Sequence, residues 1–320
     1  MANRNEVMNM IAKKHQDAQT AHDILRKDFL AALNGYTKND TIMYSSTFTI
    51  RFPGVPPTAT QINDQDLSGF MSCVNGLKGE KLDLIIHSQG GLPNATVQIV
   101  QYLRDKYKYI RAIIPQNAMS AACMLACACD EIIMGRQSAI GPIDPQMSIT
   151  RQNGTISTVP AHSILSDFRK AKEEMTANPQ SASVWLPKLM EIPIGFLDFC
   201  DKTIEMSKTR VAEWLDTYMF KNDSDKKGRA IADWLGNFDE HMTHGRPINY
   251  KLAREKGLKI NLLEDDSELQ DKVLSVYHAT QVTFELSSCI KMIENHLGNG
   301  TYTQVQAAPI IQQIVPQQAP

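Results

Sequence analysis

A serine acts as a nucleophile where a neighbouring group takes its proton and backbone donors hold the oxyanion that follows. Ser120 occupies a position of that kind. The apolar run Ile110 to Ile114 breaks through Pro115-Gln116-Asn117, and an alanine-rich stretch begins at Ser120. A serine at a strand-to-helix turn stands at a helix N-terminus, where unpaired N–H groups and the helix dipole favour developing negative charge. Ala118 and Ala122 reproduce G-x-S-x-G spacing with alanine in place of glycine. Serine is also a favoured helix N-cap, which accounts for the residue without catalysis, so the local pattern leaves both readings open. Gly90-Gly91 follows the run Lys81 to His87 (KLDLIIH), broken only by Ser88-Gln89. Paired glycines there let backbone N–H groups face a site unobstructed, and they equally suit a plain turn. Ligands in open α/β sheets gather at the carboxyl ends of strands, so two such strand ends together say more than either alone.

The surrounding sequence supplies elements able to hold these residues. Val7, Ile11, Ala18, Ala21, Ile24, Leu25, Phe29 and Leu33 recur at helical spacing and predict an amphipathic arm over residues 1–40. Thr41 to Phe52 reads as a strand, Gln61 to Leu77 as a helix and Lys81 to His87 as a buried parallel strand. Leu92 to Tyr107 returns to helical spacing. Ile110 to Ile114, Ser120 to Cys129 and Glu131 to Met134 then read as strand, helix and strand. Repeated β-α-β crossovers predict α/β architecture across roughly Thr41 to Leu263. A catalytic domain is expected over 41–297 and a flexible Gln/Pro-rich tail over 298–320, whose Ile310-Ile311 and Ile314-Val315 pairs could dock on a partner.

Composition narrows the function classes. The chain has 320 residues, 42% hydrophobic and 21% charged, which is globular. Lys+Arg 33 against Asp+Glu 35 leaves a formal charge of -2, so nothing attracts nucleic acid from a distance. The longest apolar stretch, Ala118 to Cys129, falls short of the roughly 18 residues of a membrane span. Met1 to His15 lacks the apolar core of a secretory signal, and a cytoplasmic location is expected. Six cysteines without metal-type pairing read as small buried hydrophobes; Cys123, Cys127 and Cys129 share one apolar run. His87, His162, His241 and His244 match no zinc spacing, and the chain has neither a phosphate-binding glycine loop nor an ATPase motif. No metal and no cofactor are expected.

The segment Leu84 to Asp144 resembles the ClpP/crotonase superfamily. Within it, NAMSAACMLACACDEIIMGRQSAIGPIDPQ is most similar to the serine dehydrogenase proteinase (SDH-type) branch, relatives of signal peptide peptidase A. The resemblance runs from near Leu82 to near Leu263 and is densest from His87 to Gln146. It implies a spiral of β-β-α units, with Ser120 as nucleophile and with Gly90, Gly91 and the Ala121 amide as the oxyanion hole. It also implies a homo-oligomer, for which the N-terminal arm could supply an interface.

The general base departs from the family pattern. Where ClpP carries its histidine, this chain has Gly141 to Gln146 (GPIDPQ). Where signal peptide peptidase A relatives carry a lysine, it has Thr155 to Ala161 (TISTVPA). THGRPINYKLAREKGLKI resembles the superfamily's closing segment, and His244 falls one residue from the position of ClpP's catalytic aspartate. The base and its orienting acid are therefore read as exchanged, with His244 taking the Ser120 proton and Asp144 fixing the imidazole. Packing beside the Arg246-Pro247 turn is the plain alternative for His244, and a turn before Pro145 is the plain alternative for Asp144. Lys170 and Lys172, on the helical stretch Ser163 to Met175, are reserve bases.

The expected activity is hydrolysis of peptides or unfolded polypeptides by a serine peptidase, with any energy-dependent unfolding or regulation left to a separate partner protein. One rival is a crotonase-like acyl-CoA enzyme, which needs a glutamate base near the thioester; Glu131 falls on the strand after the nucleophile helix rather than at a loop facing the site. The other is an inactive oligomeric scaffold that binds peptides or partner proteins.

Overall fold

Only Lys81 of the run Lys81 to His87 reaches the surface. A strand buried on both faces needs helices above and below it and parallel neighbours reached through crossovers. The computed structural model, which describes residues 18–50, 54–150 and 154–305 together with 7, 8 and 10, has that arrangement. In chain order the elements begin with α1 (Ala18–Thr37), β1 (Asp40–Ser46), α2 (Gln65–Val74), β2 (Lys81–His87), α3 (Pro93–Lys106), β3 (Tyr109–Ile114), β4 (Asn117–Ala118), α4 (Ala121–Cys127), β5 (Glu131–Met134) and β6 (Ala139–Ile140). The hairpin β7 (Gln146–Thr150) and β8 (Ile156–Pro160) follows, then α5 (Ala161–Ala177), α6 (Ala182–Leu189), α7 (Phe196–Trp214), α8 (Gly228–Leu235) and α9 (Phe238–His241). The chain closes with β9 (Ile248–Asn249), α10 (Tyr250–Glu255), β10 (Ile260–Leu262), α11 (Ser267–Leu286), β11 (Cys289–Asn295) and β12 (Gly300–Gln304).

The large sheet has the order β10-β5-β3-β2-β1-β11-β12. Strands β10 to β1 run parallel, and β11 and β12 extend one edge antiparallel. A second, small sheet has the order β4-β6-β9. The chain alternates between the two: β3 feeds β4 and then α4, and β5 feeds β6. Strand β2 does the same through Ser88, which bridges to Ala118 before α3 begins. This is the expected spiral of β-β-α units.

Alternate residues of β2 serve opposite layers. Leu82, Leu84 and Ile86 share a cluster with Phe70 of α2, Leu103 of α3 and Trp214 of α7, whereas Ile85 packs with Leu33 of α1 and Val273 and Val276 of α11. Helix α1 is therefore part of the domain. Its apolar face, which the sequence offers as a candidate interface, packs within the chain: Ala21 and Leu25 lie on Ala279 and Val282 of α11. A buried ion pair ties the same helix to the sheet: Arg26 Nε lies 2.7 Å from Glu294 Oε2 of β11, with neither side chain exposed. Arg26 also donates to Asp23 at 2.6 Å and to Thr283 Oγ1 at 2.8 Å.

Two boundaries differ from expectation. β1 ends at Ser46 rather than Phe52, in a turn where Ile50 N–H donates to Thr47 O. The expected tail also starts later. Gly300–Gln304, with the β-prone run Thr301-Tyr302-Thr303, turns back at Gly298 to pair with β11. Residues beyond Val305, including Ile310-Ile311 and Ile314-Val315, lie outside the described residues, as does most of Met1 to His15. No helix among the described residues is long and apolar enough to cross a membrane.

Removing one partner of a buried ion pair leaves the other charge uncompensated. Arg26→Met is expected to lower unfolding stability by about 3–5 kcal/mol in urea titrations, and adding Glu294→Gln to recover part of that loss. A single variant within about 0.5 kcal/mol of wild type would show that the pair holds nothing.

Candidate active site

Ser120 joins β4 to α4 with φ 52° and ψ -122°, a backbone conformation that non-glycine residues seldom adopt. It is one of three non-glycine residues with positive φ among those described. Its side chain makes no capping hydrogen bond, so the N-cap explanation does not account for it. The turn instead presents the half-buried hydroxyl at the carboxyl end of the sheet, the geometry of a nucleophile elbow. Behind it α4 is buried throughout, and small residues let it thread the core.

The glycine pair lies against this turn. A Cβ on Gly90 would stand 2.7 Å from Ser120 Cβ and 2.8 Å from the Ala121 nitrogen, and Gly90 has φ 93°, so the position suits only glycine. Gly90 N–H donates to Ser88 Oγ at 3.1 Å. The Gly91 and Ala121 amides find no acceptor among the described residues. Ile62 brackets Gly91, giving its N–H to Gly90 O at 2.8 Å and accepting Leu92 N–H at 2.9 Å. Ser88 and Ile62, neither singled out from sequence, thus hold the loop; the Ser-x-Gly-Gly run was the available signal for the first.

The small sheet supplies the other two residues. Ala118 of β4 is paired with Ile140 of β6, and Ile140 with Ile248 of β9 in antiparallel register. Continuing that register by four residues sets Asp144 opposite His244. Gly141 lets the strand lie close, since a Cβ there would meet Met119 Cα at 3.1 Å. Asp144 is buried, and its Oδ1 lies 2.9 Å from His244 Nδ1 while Oδ2 accepts from Gln146 Nε2 at 3.0 Å. His244 is one-quarter exposed. With Nδ1 held by the carboxylate, Nε2 is the ring atom available to exchange a proton.

Comparison with known proteins adds a decisive observation. The family model for the ClpP-like SDH-type serine proteinase matches residues 50–277. The chain belongs to this family. Two uncharacterized proteins of Methanocaldococcus jannaschii are similar to this SDH-type chain. One is 32% identical over 181 residues, 56% of this chain and 52% of the relative; the other is 30% identical over 186 residues, 58% and 54%. The chain spans about half the length of these curated relatives. Among solved structures, a serine-to-alanine variant of the membrane-bound stomatin-specific protease 1510-N is similar at 17% identity with a TM-score of 0.38, covering 66% of this chain and 79% of that one. A lysine-to-alanine variant of the same protease, in complex with a substrate peptide, gives 18% identity and the same TM-score, covering 66% and 75%.

The remaining candidates of this SDH-type chain stand apart. Lys170 and Lys172 are on the exposed side of α5, which turns Ala161, Ile164 and Ala171 inward. Glu131 opens β5, at the end of the parallel sheet opposite Ser120, and accepts from Asn261 Nδ2 at 2.7 Å. His241 is buried against Trp234 and bonds its carbonyl at 2.8 Å. Among the described residues no group of three His, Cys, Asp or Glu is placed to hold a metal ion. All six cysteines are free and buried; burial pushes Cys129 up to about 12, as suits inert core thiols.

His87, the last residue of β2, lies between Phe48 and Tyr277 at 4.9 and 5.2 Å, and neither ring nitrogen has a protein partner among the described residues. Burial pushes its pKa down to about 3. The folded ring stays neutral while an unfolded one gains a proton below about pH 6.5. Stability is therefore whole above that pH and is lost as pH falls toward 3. His87→Phe is expected to reduce the loss of unfolding free energy between pH 7 and pH 5 by about 2 kcal/mol in urea titrations. Identical losses in both proteins would show that His87 is solvated.

Proposed function

We propose that this protein is a serine endopeptidase acting on peptides or unfolded polypeptides through an acyl-enzyme on Ser120. The observation that carries the reading is the Asp144–His244 pair at 2.9 Å, four residues beyond the strands of the small sheet that also presents the strained, non-capping Ser120. In the first half-reaction Ser120 Oγ bonds to the scissile carbonyl carbon and its proton passes to His244 Nε2. The carbonyl electron pair moves onto oxygen, where the Gly91 and Ala121 N–H groups receive it. Gly90, whose own amide is given to Ser88, serves by leaving that space open. Collapse breaks the C–N bond, and His244 returns the proton to the leaving amine. Water then repeats the sequence on the ester and restores the hydroxyl. Asp144 holds the imidazole through Nδ1 and stabilises the imidazolium. Glu131, remote from this end of the sheet, offers no enolate-forming base there, which weighs against the acyl-CoA reading.

Fluorophosphonate labelling tests the assignment, since the probe bonds to an activated serine with loss of fluoride. Wild-type protein is expected to label, and Ser120→Ala to lose labelling and at least about 10³-fold in peptide hydrolysis. His244→Ala and Asp144→Asn are expected to fall by a similar order, and Gly90→Ala, whose Cβ would collide with the Ser120 turn, to be both destabilised and unreactive. Loss in Lys170→Ala or Lys172→Ala in place of His244→Ala would transfer the role of base. A folded wild type that does not label would point to the scaffold reading.

We also propose a cytoplasmic homo-oligomer that depends on a separate protein for unfolding or regulation. Six free cysteines suit a reducing compartment. Ile156, Val184, Met190, Ile194 and Phe199 are all more than half exposed within one stretch of β8 to α7, apolar side chains that an interface between subunits would cover. Light scattering of the purified protein is expected to give a multiple of the chain mass. A monomer at all concentrations would remove this part of the proposal.

A further inference from the structure

The glycine loop is anchored by a buried polar chain that takes no part in the proton transfers above. Lys291 of β11 is 3% exposed, and its Nζ lies 2.7 Å from Asp66 Oδ1 and donates to Gln61 O at 3.0 Å. Asp66, equally buried, accepts at Oδ2 from Tyr44 OH at 2.9 Å and from Asn63 N–H at 3.0 Å. These bonds fix residues 61 to 63, and Ile62 in their middle is the residue that brackets Gly91. Separately, Ser88 Oγ accepts Gly90 N–H at 3.1 Å. Both contacts act on Gly90-Gly91.

A buried ion pair contributes little to stability compared with apolar residues of the same volume. Here the further hydrogen bonds of both charges go to the segment that grips the glycine loop or to the phenol beneath it. That is the construction of a supporting shell, in which a second rank of hydrogen bonds sets the direction of the groups that touch the reacting atoms. Backbone donors to an oxyanion are especially sensitive to it, because an amide has no rotamer with which to correct a tilt of its peptide plane.

We propose that Lys291, Asp66 and Tyr44 form a positioning relay that, through residues 61 to 63, sets the direction of the Gly91 N–H for oxyanion binding. The inference rests on the reading of Ser120 as nucleophile and Gly91 as donor. All three are positioning residues, and Lys291 acts from the opposite end of the sequence to Tyr44.

Two variants of the full chain test the relay. Tyr44→Phe removes a single oxygen. Asp66→Asn combined with Lys291→Met removes both charges together, so no lone charge stays buried. The rate of fluorophosphonate labelling is expected to fall roughly tenfold to hundredfold, with kcat for a peptide substrate lowered more than KM is changed. Hydrogen exchange of the amides at 88–92 is expected to quicken by about tenfold while peptides from β3 keep the wild-type rate. Lys291→Arg, which preserves the charge, is expected to retain more labelling than the double variant. Unchanged exchange at 88–92 in both variants overturns the relay, as does exchange raised equally in β3 or labelling that stays at the wild-type rate. Failure of wild type to label would instead sink the peptidase reading, and the exchange comparison alone would then decide whether the relay holds the loop.

Discussion

A non-glycine residue at φ 52° and ψ -122° costs of order 1–3 kcal/mol and persists only when its surroundings determine it from both sides. At Ser120 they do. Upstream, Met119 N–H donates to Ser88 O and Ser88 N–H to Asn117 O, so the approach is tied to the end of β2. Downstream, Ala122 N–H donates to Met119 O and Met124 N–H to Ser120 O, which commits the chain to helix at once. Gly90 fills the remaining side, where any Cβ would collide with the turn. The strain is held by the meeting of two strand ends, and the placement of the glycine amides follows from the same contacts.

The small sheet extends this logic to the proposed base, His244, and its orienting Asp144. Its strands are two residues long, yet their register carries Asp144 and His244 to one another across an interval of a hundred residues. Chain order within the constellation matters little, because the sheet sets the geometry. The same carboxylate bonds Gln146, so its orientation does not depend on the imidazole alone.

Much of this was legible in the residues. The apolar runs that became β2, β3 and β5 can only be covered strands, and Gly90-Gly91 and Ser120 stand at their ends because turns and helix starts fall there. The register of the small sheet was not legible, since Asn117-Ala118, Ala139-Ile140 and Ile248-Asn249 carry no periodicity over two residues. Asp144 and His244 could therefore be singled out only by resemblance, and their contact waited on coordinates. The partner of the N-terminal helix was hidden for a different reason: an amphipathic pattern reports that a face is covered, and α11, which covers it, lies more than two hundred residues later. Thr301-Tyr302-Thr303 was merged with the Gln/Pro-rich tail because three residues barely register against the composition that follows. Nothing in the sequence marks Lys291 and Asp66, since burial of a charge becomes visible only through its partner.

The two-residue strands of the small sheet also bear on when the site comes into being. Each pairing offers too few hydrogen bonds to repay the closure of its loop, least of all the interval between Ile140 and Ile248, so none can form ahead of the large sheet that aligns them. During synthesis the segment bearing His244 and β9 emerges long after Ser120 has been made. On the proposed reading, a nascent chain therefore carries its serine without the partner that would activate it, and the proposed activity arrives only with a folded body around it.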